Sequence, residues 1–83
     1  MPTLKPTPQK IGAYMLERGG HTYTTAVGDS VYVLDHKGAS ALLICYAAGG
    51  YRLQVCFEGG SKQANTPAHI AKLWSWWIAR YLE

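Results

Sequence analysis

The chain has 83 residues, 48% of them hydrophobic and 16% charged, with a formal net charge of +3. That length suits one small domain over 1–83, and that balance excludes a disordered chain, which carries more charge and less apolar surface. The longest apolar run, Ala41 to Ala48, falls far short of the ~20 residues that span a bilayer, and no segment has the basic start, apolar middle and small-residue end of a secretory signal. These features predict an intracellular, cytoplasmic protein with no membrane partner.

Met1 to Pro8 holds three of the four prolines. Proline lacks a donor N–H, so residues 1–7 read as a tail. Thr7-Pro8 then opens a helix over 8–18, because threonine caps free N–H groups and proline suits the first helical position. Ile11, Tyr14 and Met15 follow at helical spacing, and Gly19-Gly20 is a stop. Gly12 costs a helix ~1 kcal/mol, which keeps a strand over 11–17 open as the alternative. Thr22 to Val27, rich in Thr and Tyr, suits an edge strand, and Gly28-Asp29 suits a turn.

Val31 to Leu34 reads as a strand. A three-residue loop, His36-Lys37-Gly38, puts Gly38 in the left-handed region and sets Leu34 opposite Ser40 and Tyr32 opposite Leu42. A second hairpin spans Ala41 to Glu58. A turn at Gly49-Gly50 pairs Tyr46 with Leu53, Ile44 with Val55 and Leu42 with Phe57. Burial sets register, so this pairing predicts one wholly apolar face on which Tyr32, Leu34, Leu42, Ile44, Tyr46, Leu53, Val55 and Phe57 stand. The other face, with Val31, Val33, Ala41, Leu43, Cys45, Ala47, Arg52, Gln54, Cys56 and Glu58, is mixed. The N-terminal segment, a second subunit or a target protein is expected to cover it.

Residues 59–65 read as a loop. Thr66-Pro67 repeats the start signal for a helix over 67–82, and Ile70, Leu73, Trp74, Trp77, Ile78 and Tyr81 form its apolar stripe. The predicted class is α+β: a curled antiparallel sheet of three or four strands over 22–58, the C-terminal helix on one face, and an N-terminal helix or extra strand on the other. The heptapeptide Val27-Gly28-Asp29-Ser30-Val31-Tyr32-Val33 resembles the Gly-Asp-x-Val strand start of small SH3-like barrels. That resemblance covers seven residues and implies, as the alternative, a partly closed barrel plus a C-terminal helix.

Trp76 carries the main functional expectation. At 100° per residue it points away from the Trp74/Trp77 stripe and shares its helix face with His69, Lys72 and Arg80. Tryptophan and arginine are enriched at interface hot spots, which makes this face a candidate partner-binding surface. The plainer alternatives are that Lys72 and Arg80 merely stack over the indole, or that the N-terminal segment folds over it. Tyr51-Arg52, placed at the second hairpin's tip, is a smaller candidate for recognition.

Cys45 and Cys56 share a face in this register but lie diagonally, which favours free thiols; a turn at Gly50-Tyr51 would oppose them and allow a disulfide. His21, His36 and His69 stand apart from the cysteines and from each other, so neither metal nor cofactor is expected. The acids Glu17, Asp29, Asp35, Glu58 and Glu83 form no evident catalytic pair. Ser40 lacks the nucleophile-elbow spacing, and Gly59-Gly60-Ser61-Lys62 lacks the full phosphate-loop pattern.

The sequence therefore predicts a non-enzymatic protein-binding module, an inhibitor or adaptor that contacts a larger complex, such as a host nucleoprotein complex. Phages and mobile elements encode such proteins, anti-CRISPR proteins among them. A homodimer closed by the mixed face is a further expectation. The alternative is a nucleic-acid-binding module that presents Arg52, Lys62, Lys72, Arg80 and Trp76 to phosphates and bases, although the cations are scattered singly along the chain.

Overall fold

The computed structural model describes residues 7–82; the tail expected at 1–7 lies, but for Thr7, outside them. Helix α1 (Pro8–Glu17) is followed by strands β1 (His21–Thr24), β2 (Ser30–His36), β3 (Ala39–Cys45), β4 (Tyr51–Phe57) and β5 (Gly60–Ala64), then helix α2 (Pro67–Tyr81). The strands form one antiparallel meander in sequence order, with β1 and β5 at its edges. The sheet is open and α+β in class, so the barrel suggested by the seven-residue resemblance does not form. No helix among the described residues is long and apolar enough to cross a membrane.

Both helices start as local chemistry dictates. The Thr7 hydroxyl accepts from Lys10 N at 3.3 Å and the Thr66 hydroxyl from His69 N at 3.3 Å, each followed by proline at the first helical position. The 11–17 segment is therefore helix, not strand. Gly12 has a packing reason: a Cβ there would lie 3.0 Å from the Tyr32 ring, so its bare backbone lets α1 rest on the sheet.

Three expectations are corrected. Residues 60–64 are strand β5 rather than loop, because they complete hydrogen bonding along the edge of β4. The β2–β3 turn has two residues, Lys37-Gly38, at φ 48° and 82°, the positive pair that a tight hairpin favours. Leu34 consequently faces Ala41 and Tyr32 faces Leu43. At the next turn Cys45 pairs with Tyr51, Leu43 with Leu53 and Ala41 with Val55, so the double-glycine register is also displaced. A turn at Tyr46 to Gly49 replaces it, closed by Gly49 N to Tyr46 O at 3.0 Å. The carboxylate of Asp29 fixes that loop by accepting from Ala47 N at 2.8 Å.

Each displacement is an odd number of residues, so β3 turns over relative to the expectation. Ala39, Ala41 and Leu43 are buried at 4%, 1% and 0% exposure, while Leu42 and Ile44 are half-buried on the opposite face. Volume explains the choice. The helix layer brings Ile11, Met15, Ile70, Leu73, Trp74 and Trp77 into the same core, and close packing favours alanines opposite such bulk. Both helices lie on this inner face, where the expectation put α1 on the other: Tyr14 meets Trp74 edge-on at 5.7 Å. The outer face carries neither helix.

The core includes two buried polar atoms, Tyr14 Oη and Trp77 Nε1, with no hydrogen-bond partner among the described residues. An unpaired buried hydroxyl costs about 1–3 kcal/mol of desolvation. Tyr14→Phe is thus expected to leave the urea midpoint unchanged or raise stability by about 1 kcal/mol; a loss of that size would show that the hydroxyl is bonded.

Candidate functional site: the Trp76 ledge

The side chain of Trp76 stands where α2 crosses the β4–β5 edge. It is half-buried, held from behind by Phe57 at 5.5 Å and Tyr81 at 6.1 Å, both edge-on. Phe57 and Tyr81 are themselves stacked at 5.9 Å, and Tyr81 leans on the fully buried Trp77 at 6.0 Å. This aromatic chain connects the ledge to the core and limits the rotamers open to the indole.

Two cations flank the ring. Lys62 Nζ lies 4.4 Å from the Trp76 ring and Arg80 Cζ 5.8 Å, both within cation–π range. Arg80 stands where helical spacing puts it, but Lys62 takes the place expected for Lys72: Lys62 pairs with Val55 across β4–β5 and so shares the inner face with the helices. Sequence reasoning missed this role because it read 59–65 as loop: β5 is an exposed edge strand with no apolar alternation to mark it. A depression of about 240 Å³ opens beside the ring, lined by Trp76, Ala79 and Arg80.

The other expected residues are distributed differently. The His69 ring serves the helix start, where Thr66 Oγ1 lies 2.9 Å from Nδ1 while accepting from the His69 N–H. Lys72 is exposed further along α2. Tyr51 and Arg52 are not at a hairpin tip but begin β4. Their side chains take opposite faces: Tyr51 Oη accepts from Gln9 Nε2 at 3.0 Å on the helix side, and Arg52 donates to Gln63 Oε1 on the outer side. Both border a second depression of about 480 Å³ at that end of the sheet, which Tyr46, Gln63, Ala64 and Asn65 complete.

The two thiols are free, and β3's reversal puts them on opposite faces, correcting the shared face read from the sequence. Cys45, on the helix side, pairs with Tyr51, and Cys56, on the outer side, pairs with Ser40. Burial pushes the Cys45 thiol up from its ordinary pKa, which lowers its thiolate fraction at neutral pH.

The ledge joins a rigid aromatic body to two cationic rims. Lys62 and Arg80 offer charged donors beside an apolar ring face, the chemistry that pairs with carboxylates. No protein family model matches the chain, and comparisons with curated proteins and with solved structures find no similar protein.

Proposed function

We propose that this chain is a non-enzymatic binding module, an inhibitor or adaptor that docks an acidic patch of a larger protein or nucleoprotein complex on the Trp76 ledge. The observation that carries this reading is the half-buried indole held by Phe57 and Tyr81 between Lys62 and Arg80. Preorganisation lowers the entropy cost of docking, because the ring is already fixed when a partner arrives. Lys62 and Arg80 favour an acidic partner and speed its approach. An intracellular partner belongs to the same proposal.

The test compares the tagged protein with Trp76→Ala in capture from a cell extract, followed by titration of the purified partner. Trp76→Ala should remain folded and weaken binding by about 30-fold, the effect of a hot-spot aromatic. Wild-type affinity should fall less than about tenfold between ~50 and ~200 mM salt, whereas binding through many phosphates falls by about 10³ or more. Unchanged affinity in folded Trp76→Ala removes the ledge from the function. A steep salt dependence with a captured oligonucleotide makes this a nucleic-acid-binding module instead.

A further inference from the structure

Register places Tyr23, Val31, Val33, Leu42 and Ile44 together on the outer sheet face. Tyr23 is 50% exposed and Val31 only 3%, while Val33, Leu42 and Ile44 are half-buried. Among the described residues neither helix reaches this side. The strands present one acid and one arginine here. Asp35, on β2, pairs with Ser40; Arg52, on β4, pairs with Ile44. Leu42 lies on the strand between them, midway between Ser40 and Ile44, and so marks the centre of the Asp35–Arg52 diagonal. His21 and Tyr23 on β1 and Cys56 on β4 are the other titratable strand side chains on this face.

We infer that a second copy of this chain covers the outer face, packing Leu42 on the partner's Leu42 so that Asp35 meets the partner's Arg52 and Arg52 meets the partner's Asp35. A two-fold axis lying between the faces over Leu42, perpendicular to the diagonal, performs this exchange. An isologous interface requires such a self-complementary patch, whereas an unrelated partner requires no symmetry in it. Asp35 and Arg52 stand two strands and four residues apart, a separation of about 16 Å. A diagonal in that direction makes the strands of the two copies cross at about 70°, near the orthogonal class of sheet packing. Arg52 has donors to spare beyond its bond to Gln63.

Five strands and seven residues give a face of about 19 by 20 Å. Two such faces cover about 760 Å², below the ~1,200 Å² of stable specific interfaces, so the dimer is a weak, reversible one that forms from tens to hundreds of micromolar (~10–500 µM). The inference does not rest on the Trp76 reading, since the ledge lies on the helix side and stays open in the dimer.

Sedimentation equilibrium from ~10 µM to ~1 mM, the range such an interface populates, tests it. Wild type should pass from monomer to dimer. Leu42→Lys, Asp35→Arg and Arg52→Asp should each raise the dissociation constant by about tenfold or more, and the double exchange Asp35→Arg with Arg52→Asp should bring it back to within about threefold of wild type. Circular dichroism checks that each variant keeps its helices, which pack on the other face. A wild type that stays monomeric throughout overturns the inference. So does a dimer indifferent to Leu42→Lys, or a folded double exchange that fails to recover association.

Discussion

Trp77→Ala is expected to remove about 4 kcal/mol of stability. A chain of this length has only about 4–12 kcal/mol in total, so the variant should lose from about a third to all of it. The indole is fully buried, stacked on Trp74 at 5.6 Å and tilted against Tyr81 at 6.0 Å. Its loss opens a cavity bounded by a helix and a sheet that cannot both collapse into it. In urea this corresponds to a midpoint lower by about 2–3 M. Trp77→Phe should cost less, because it retains most of the ring area and deletes an N–H with no partner among the described residues. Trp76→Ala, removing a half-buried ring, should cost about 1–2 kcal/mol and leave a folded protein. A loss below about 1.5 kcal/mol for Trp77→Ala would mean that α2 does not seat this ring in the core.

The second large effect is steric. Gly20→Ala should cost about 3 kcal/mol. A Cβ at Gly20 would stand 2.5 Å from Val33 O and 2.7 Å from Met15 O. Both neighbours are backbone, and Met15 O already accepts the Gly20 N–H at 2.9 Å. Relief requires α1 to lift from β2, taking the buried Ile11 and Met15 with it. Hydrogen exchange should therefore quicken in α1 and β1 before β3 and β4. Gly19→Ala is the control: φ is 91° but the space around it is open, so backbone strain alone should cost about 1 kcal/mol. Equal losses in the two variants would show that the close approach at Gly20 is absent.

Much of the candidate surface was legible in the sequence, but its geometry was not. Trp76 and Arg80 follow from helical spacing, because a helix fixes side-chain directions by local geometry alone. Lys62 does not, since its place beside the indole exists only once β5 pairs with β4. The strand Gly60–Ala64 has the burial of an exposed edge, so no alternation of apolar residues announces it. Likewise, Tyr51 and Arg52 were recognised as polar-aromatic neighbours, but a displaced turn moved them from a tip into a strand.

What the chain determined locally was the set of elements: two threonine-proline helix starts, the apolar stripe of α2, and glycine-marked reversals between strands. Tertiary structure decided which side of β3 faces the core, that both helices share that side, and hence that Leu42, Ile44, Asp35 and Arg52 look outward together. The reason lies in the strand's period of two. Ala41 and Leu43 against Leu42 and Ile44 are near-equivalent choices along the chain. The volume of two tryptophans above the sheet distinguishes them, and that volume arrives from residues more than thirty positions away, ~100 Å of extended chain.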